Sequence, residues 1–182
     1  MVERRTFYSD GLKLVGYLRV PEGIRDGEKR SAVVLCGGFG AHQERFLPEM
    51  ADYLSSQGYV TFTFDYRGFG ESEGPRWRMI PQEQVKDIAN AITFLEAQDV
   101  VNSAMIGLLG ASFGGANVCY VAGVDTRVAC VVSVVGVGCG GLDWSVAGVV
   151  WSVVGLVYGG GDLWWGWAMV GVVYMYDWGG LW

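Results

Sequence analysis

Short apolar runs alternate with segments of helical spacing between residues 12 and 135, and this alternation is the feature that most constrains the fold. The runs have the length and composition of strands, and the segments between them repeat apolar residues every three or four positions. Strands separated by helices predict an α/β fold, with a mostly parallel sheet and helices on both faces. In such sheets, the chemistry gathers at the carboxyl ends of the strands. We predict strands at 12–20, 31–36, 59–64, 105–109 and 128–135, and helices at 46–54, 81–95 and 117–122.

The composition of the chain changes abruptly after Arg127. All 13 Lys and Arg residues and all 4 prolines lie at or before this position. The remainder has only three acidic residues but contains 7 of the 8 tryptophans. We therefore interpret residues 1–137 as an ordered core and residues 138–182 as an anomalous tail rich in Gly, Val and Trp.

Charge and cysteine content exclude several classes of protein. The chain is 51% hydrophobic with a net charge of −6, which excludes a disordered solvating chain and a basic nucleic-acid binder. The beginning of the chain has no signal-peptide pattern. The cysteines lie in apolar runs without the spacing of metal ligands, so we predict buried reduced thiols in a cytoplasmic protein, with no metal site. These cysteines are Cys36, Cys119, Cys130 and Cys139.

The strongest motif is Gly110-Ala-Ser-Phe-Gly114, which lies directly between a predicted strand and a predicted helix. It matches the G-x-S-x-G pattern in the strand–turn–helix context that the pattern requires. The two glycines let neighbouring backbone pass close to a tight turn, which presents the Ser112 hydroxyl at the edge of the sheet. The helix dipole and the Phe113 N–H then point at developing negative charge. The alternative is a glycine-rich turn with an incidental serine.

A second glycine-rich segment, Gly37-Gly-Phe-Gly40, follows the predicted strand at 31–36. Such a turn can offer a further backbone N–H, that of Phe39, to the same oxyanion. The alternatives are a simple turn or a phosphate-binding loop. A phosphate loop would continue with Gly-Lys-Ser/Thr, which Ala41-His-Gln does not supply.

A third segment, Asp65-Tyr-Arg-Gly-Phe-Gly-Glu-Ser72, follows the predicted strand at 59–64. Asp65 and Arg67 could pair, and the glycines permit left-handed backbone. The residues of this segment alone indicate a charged turn and no chemistry.

Together, the three segments resemble the α/β-hydrolase superfamily in order and spacing. Gly37–Gly40 is similar to its oxyanion loop, although Gly37 replaces the usual histidine. Asp65-x-Arg-Gly-x-Gly-x-Ser72 resembles the turn after the fourth strand, and Gly110–Gly114 resembles the nucleophile elbow. The resemblance covers residues 6 to 135 and is greatest to serine-aminopeptidase-like, dipeptidyl-peptidase-like and dienelactone-hydrolase-like enzymes. It implies an α/β-hydrolase fold whose C-terminal strands are missing or degenerate.

The resemblance also implies a reaction. Ser112 would attack an ester, thioester or amide carbonyl of a small ester or peptide-like substrate, without a cofactor, and the N–H groups of Phe39 and Phe113 would hold the oxyanion. In the superfamily an acid and then a histidine follow the serine, but here the single histidine, His42, precedes it. His42 is therefore a candidate base outside the family pattern, and a non-catalytic binding protein on a hydrolase scaffold is the alternative function. No triad acid is assigned among Asp143, Asp162 and Asp177.

The tail has three interpretations. Residues 144–161 form an uncharged stretch at the lower limit for a membrane span, but they lack basic flanks and include three terminal glycines. A lid of this composition would be prone to aggregation. The third interpretation is that the chain departs from its natural reading frame near Gly138, since Gly, Val and Trp all have G-rich codons. We favour this third hypothesis and predict no membrane association.

Overall fold

The computed structural model describes residues 1–38 and 47–134, together with the backbone of 153–154 and 170–174. Three helices and eight strands lie within these ranges. The helices are α1 (Leu47–Ser56), α2 (Pro81–Glu96) and α3 (Phe113–Val124). The strands are β1 (Val2–Ser9), β2 (Leu12–Arg19), β3 (Arg30–Cys36), β4 (Val60–Phe64), β5 (Val101–Ala111), β6 (Val128–Val134), β7 (Val153–Val154) and β8 (Val170–Tyr174).

The strands form one sheet in the order β1-β2-β4-β3-β5-β6-β8-β7. Strands β4, β3, β5 and β6 run parallel to one another, and helices connect them along the chain. The β1–β2 hairpin adds to β4 in the antiparallel sense, and β8 pairs with β6 in the antiparallel sense. The predicted α/β fold with a mostly parallel sheet is therefore confirmed.

Alternate residues of each strand point to opposite sides of the sheet. Helices pack against both sides. In β3, Val34 and Cys36 belong to a large buried cluster, whereas Leu35 belongs to a small one. The large cluster contains the apolar residues of α2 and α3, and the small cluster contains Leu47 and Ala51 of α1. Helices on both faces are thus confirmed, with a larger core on the side of α2 and α3.

The sequence-based elements agree with the structure in type but differ at their bounds. Strand β1 was not predicted, because it packs on one side only. Its exposed positions include Arg4 and Arg5, so no apolar run indicates a strand there. Strand β1 lies at the edge of the sheet, and β2 is the next strand. Strand β5 begins at Val101, before its apolar run, and α3 begins at Phe113.

The fold brings two glycine-rich turns to the same edge of the sheet. Cys36, the last residue of β3, pairs with Gly110 in the neighbouring strand β5. The chain therefore leaves both strands side by side, and Gly37 and Gly38 after β3 lie next to the turn after β5. In the described part of the chain, no helix is long and apolar enough to cross a membrane.

Candidate active site

Ser112 lies between the end of β5 and the beginning of α3, at φ 54° and ψ −122°. Only Asp10 and Trp77 share a positive φ among the other non-glycine residues that the structure describes. Such a backbone costs on the order of 1–3 kcal/mol, which the surrounding structure must offset. Part of the support is a hydrogen bond from the Ser112 N–H to the Val134 carbonyl of β6, at 2.9 Å. The predicted elbow conformation is confirmed, whereas the role of Ser112 as nucleophile stays a prediction.

The two glycines of the motif are required by close backbone contacts. A Cβ atom at Gly110 would overlap the carbonyl group of Gly114. A Cβ atom at Gly114 would overlap the carbonyl oxygens of Cys36 and Gly37. The first contact closes the elbow on itself, and the second seats the beginning of α3 against the end of β3. The spacing G-x-S-x-G is therefore a packing requirement at both ends.

Gly38 brings the second glycine-rich turn into contact with Ser112. A Cβ atom at Gly38 would lie 3.0 Å from the Ser112 Cβ and 3.5 Å from its Oγ. A larger side chain there would crowd the hydroxyl, so a glycine keeps the approach to Ser112 open. The sequence-based prediction placed this turn beside the elbow, and Gly38 confirms that placement. Phe39 and His42 lie outside the described residues, so the second oxyanion donor and the candidate base stay predictions.

The beginning of α3 supplies hydrogen-bond donors beside Ser112. Phe113 is the first residue of the helix, and the first N–H groups of a helix have no acceptor within it. The Gly115 N–H donates to the Ser112 carbonyl at 3.0 Å, which closes the first turn. The Phe113 N–H therefore lies next to the serine with the positive end of the helix dipole behind it. This is an arrangement suited to an oxyanion.

The cysteines near the site are free thiols in apolar surroundings. Cys36 and Cys119 are buried and Cys130 is half-buried, while Cys139 lies outside the described residues. Burial raises the pKa of the Cys36 thiol to about 12, so this group stays protonated and unreactive at neutral pH. Burial was predicted for all four thiols, and it holds fully for Cys36 and Cys119.

The segment that follows β4 has a structural role in the described part of the chain. Arg67, 6% exposed, donates to the fully buried carboxylate of Asp87 in α2, with a shortest distance of 2.7 Å. It also donates to Asp10 and Ser9 at the β1–β2 hairpin. Arg67 therefore joins three separate parts of the fold. Arg67 forms ion pairs with Asp87 and Asp10, and a pairing of Arg67 with Asp65 stays a prediction.

Ser72 closes the same segment against β2. Its hydroxyl donates to the Asp65 carbonyl at 2.6 Å and accepts the Val15 N–H at 2.9 Å. The Asp65 carboxylate accepts the Glu71 N–H at 3.1 Å and leaves no room for a side chain at Gly70. These contacts explain why the pattern needs Asp, Gly and Ser at fixed spacing.

Several buried polar residues near the site were not predicted. Gln84 and Asp87 lie on the buried face of α2, among Ile88 and Ala91. The sequence did contain a signal for these two residues. A charged group and an amide lie on the apolar face of an amphipathic helix, and such groups are buried only when they have polar partners. Asn117 of α3 is also fully buried, in a helix without a polar face that would have made it stand out.

The described ranges contain no group of three or more His, Cys, Asp or Glu residues placed to hold a metal ion. Asp143, Asp162 and Asp177 lie outside these ranges.

Comparison with known proteins agrees with the fold, and the matching residues include Ser112. Residues 27–138 match the family model of serine aminopeptidase, S33. An uncharacterized 31.7 kDa protein of Escherichia coli is 42% identical over 125 residues, which are 69% of this chain and 42% of that protein. The thiohydrolase aneE of Aspergillus aculeatus is 38% identical over 126 residues, 69% of this chain and 38% of the relative. The chain thus spans less than half the length of these relatives.

Solved structures give the same result. The complex of DcsB with its substrate analogue superposes with a TM-score of 0.71 at 30% identity, over 75% of this chain and 46% of that one. The α/β hydrolase GrgF from Penicillium superposes with a TM-score of 0.70 at 28% identity, over 75% and 46% of the two chains. The matched region contains the elbow, the turn that meets it and the segment after β4. The chain belongs to the serine aminopeptidase S33 family of α/β hydrolases.

Proposed function

We propose that this chain carries the nucleophile and the oxyanion-binding elements of a serine hydrolase that cleaves an ester or a peptide-like acyl bond. The observation that carries the proposal is the strained Ser112 elbow, against which Gly38 packs so closely that a Cβ atom at Gly38 would lie 3.0 Å from the Ser112 Cβ. Strain of this kind is kept where function requires a fixed geometry. The names thiohydrolase and polyketide transferase among the relatives support acyl transfer as the reaction class.

The proposed reaction begins with attack of the Ser112 Oγ on the substrate carbonyl carbon. The new C–O bond places negative charge on the carbonyl oxygen, which accepts hydrogen bonds from the N–H groups of Phe113 and Phe39. The serine proton passes to a base and from there to the leaving group as the acyl bond breaks. His42 is the sole imidazole in the sequence to which this proton could go. Water then releases the acyl group from Ser112.

Labelling with a fluorophosphonate probe tests this proposal. We expect the probe to modify Ser112, slowly, and no other serine, because oxyanion donors beside this hydroxyl favour its attack on phosphorus even though no histidine follows it. Peptide mass mapping locates the modification, and Ser112→Ala should abolish it. Ser103→Ala, at an exposed position near the other end of β5, is the matched control and should label normally. Labelling that persists in Ser112→Ala would overturn the proposal.

The alternative function is a non-catalytic binding protein on a hydrolase scaffold. The observation that favours it is the position of the single histidine, which precedes Ser112 instead of following it. An unlabelled Ser112 in a chain that still binds a small ester would support this alternative.

We further propose that residues 138–182 depart from the natural reading frame. The composition changes in this region, and the match to the family model ends at residue 138. Sequencing of the coding DNA tests the proposal. We expect another frame beyond codon 138 to encode a charged continuation that contains histidine. A single intact frame through Trp182, with no such continuation in the other frames, would contradict it.

A further inference from the structure

A buried polar cluster lies behind the Ser112 elbow. It contains Tyr66 from the segment after β4, Gln84 from α2 and Asn117 from α3, next to Cys36 at the end of β3. The exposed fractions are 2% for Tyr66 and Gln84 and zero for Asn117. Polar groups this deeply buried cost free energy unless they are hydrogen-bonded, so their arrangement requires an explanation.

One hydrogen bond in this cluster joins α3 to α2. The Asn117 Nδ2 donates to the Gln84 Oε1 at 2.9 Å, and both side chains are buried. The Asn117 Oδ1 and the Tyr66 hydroxyl have no hydrogen-bond partner among the described residues. The Asn117–Gln84 contact is therefore the polar link that this cluster makes between two helices in the described part of the chain.

Asn117 is well placed to act on the elbow. It follows Phe113 by four residues, so the two lie on the same face of α3, one turn apart. Between them, Gly114 and Gly115 have no side chains with which to hold the first turn, and Gly114 lies against the carbonyls of Cys36 and Gly37. Asn117 is the first residue of α3 whose side chain makes a hydrogen bond to another helix.

We propose that the buried hydrogen bond from Asn117 to Gln84 positions the first turn of α3, and with it the Phe113 N–H, behind Ser112. Asn117 and Gln84 are positioning residues and touch no substrate. This inference rests on the proposed function only in treating the Phe113 N–H as an oxyanion donor.

Gln84→Met tests this hydrogen bond through its effect on stability. If the Gln84 Oε1 accepts from Asn117 in the buried interior, its removal leaves the Asn117 Nδ2 unpaired and lowers the midpoint of thermal unfolding, by about 2–4 °C for a loss near 1 kcal/mol in a chain of this size. An unchanged or raised midpoint overturns the proposal.

The coupling to the elbow is tested by the NMR resonance of the Phe113 amide in the full chain. Gln84→Met should shift this resonance although Gln84 lies on another helix, and the shift should vanish when Gln84→Met is made in an Asn117→Ala background. The matched control is Asn90→Ala, which removes the hydrogen bond from α2 to Ser9 and should leave the Phe113 amide unchanged. An equal shift from Gln84→Met in both backgrounds, or none in either, overturns the proposal.

If Asn117→Ala does not fold, Asn117→Leu serves as the second background, because it nearly keeps the shape of the side chain and removes the donor to Gln84. Neither the unfolding midpoint nor the amide resonance requires turnover. Failure of the positioning hydrogen bond is therefore distinguishable from failure of Ser112 to react with a fluorophosphonate.

Discussion

The purified chain is expected to hydrolyse a p-nitrophenyl ester only slowly, because no histidine follows Ser112. A serine hydroxyl without an adjacent base is a weak nucleophile. The members of a catalytic triad act as a unit that contributes about a millionfold to the rate. Oxyanion stabilisation and substrate binding alone leave roughly a thousandfold acceleration over water. The measurement is steady-state release of p-nitrophenolate.

Two variants show whether Ser112 and His42 contribute to this rate. If the base is missing, the unaltered chain, Ser112→Ala and His42→Ala should all be similarly slow. Rapid turnover that either substitution abolishes would contradict the prediction. In that case His42, which follows the Gly37–Gly40 turn in the sequence, would be assigned as the proton acceptor.

The elbow could be predicted from the sequence because its determinants are local. A strand, two glycines, a serine and a helix lie within one short segment, and each glycine is required by backbone contacts at that point. The parallel strands were predictable for a similar reason, since strands buried on both faces are continuous apolar runs. Strand β1 escaped prediction because it is an edge strand with charged exposed positions.

The polar contacts behind the site could not be predicted in the same way. The Arg67–Asp87 pair joins residues 20 apart, and the Asn117–Gln84 hydrogen bond joins residues 33 apart. Which buried polar groups meet depends on the angle at which α2 and α3 pack on the sheet. A charge on an apolar helix face predicts that a partner exists but does not identify it.

The Asp87→Ala variant is expected to lose about 3–5 kcal/mol of the free energy of unfolding. Asp87 is fully buried, and its carboxylate accepts from the Arg67 side chain and from the Arg67 N–H. Removing the carboxylate leaves a 6% exposed guanidinium with Asp10 as its remaining ion-pair partner in the described part of the chain. Urea unfolding followed by circular dichroism measures the loss.

Two control variants distinguish the effect of a buried charge on stability from the effect of an exposed one. Glu71→Gln breaks the Arg4–Glu71 pair, in which both side chains are about half exposed, and should cost no more than about 1 kcal/mol. The double variant Arg67→Met/Asp87→Leu removes both buried charges and should recover part of the loss. Equal losses in Asp87→Ala and Glu71→Gln would contradict the structural role assigned to the Arg67–Asp87 pair.

The close approach of Gly38 to Ser112 has an evolutionary consequence. Among the described residues, backbone from Gly37, Gly38 and the glycines of the elbow packs closely around this serine. Contacts of this kind do not depend on which molecule is bound there. A substitution at Gly38, Gly110 or Gly114 would therefore disturb the elbow whatever the rest of the protein comes to recognise, so these positions are expected to stay fixed in any lineage that keeps the elbow.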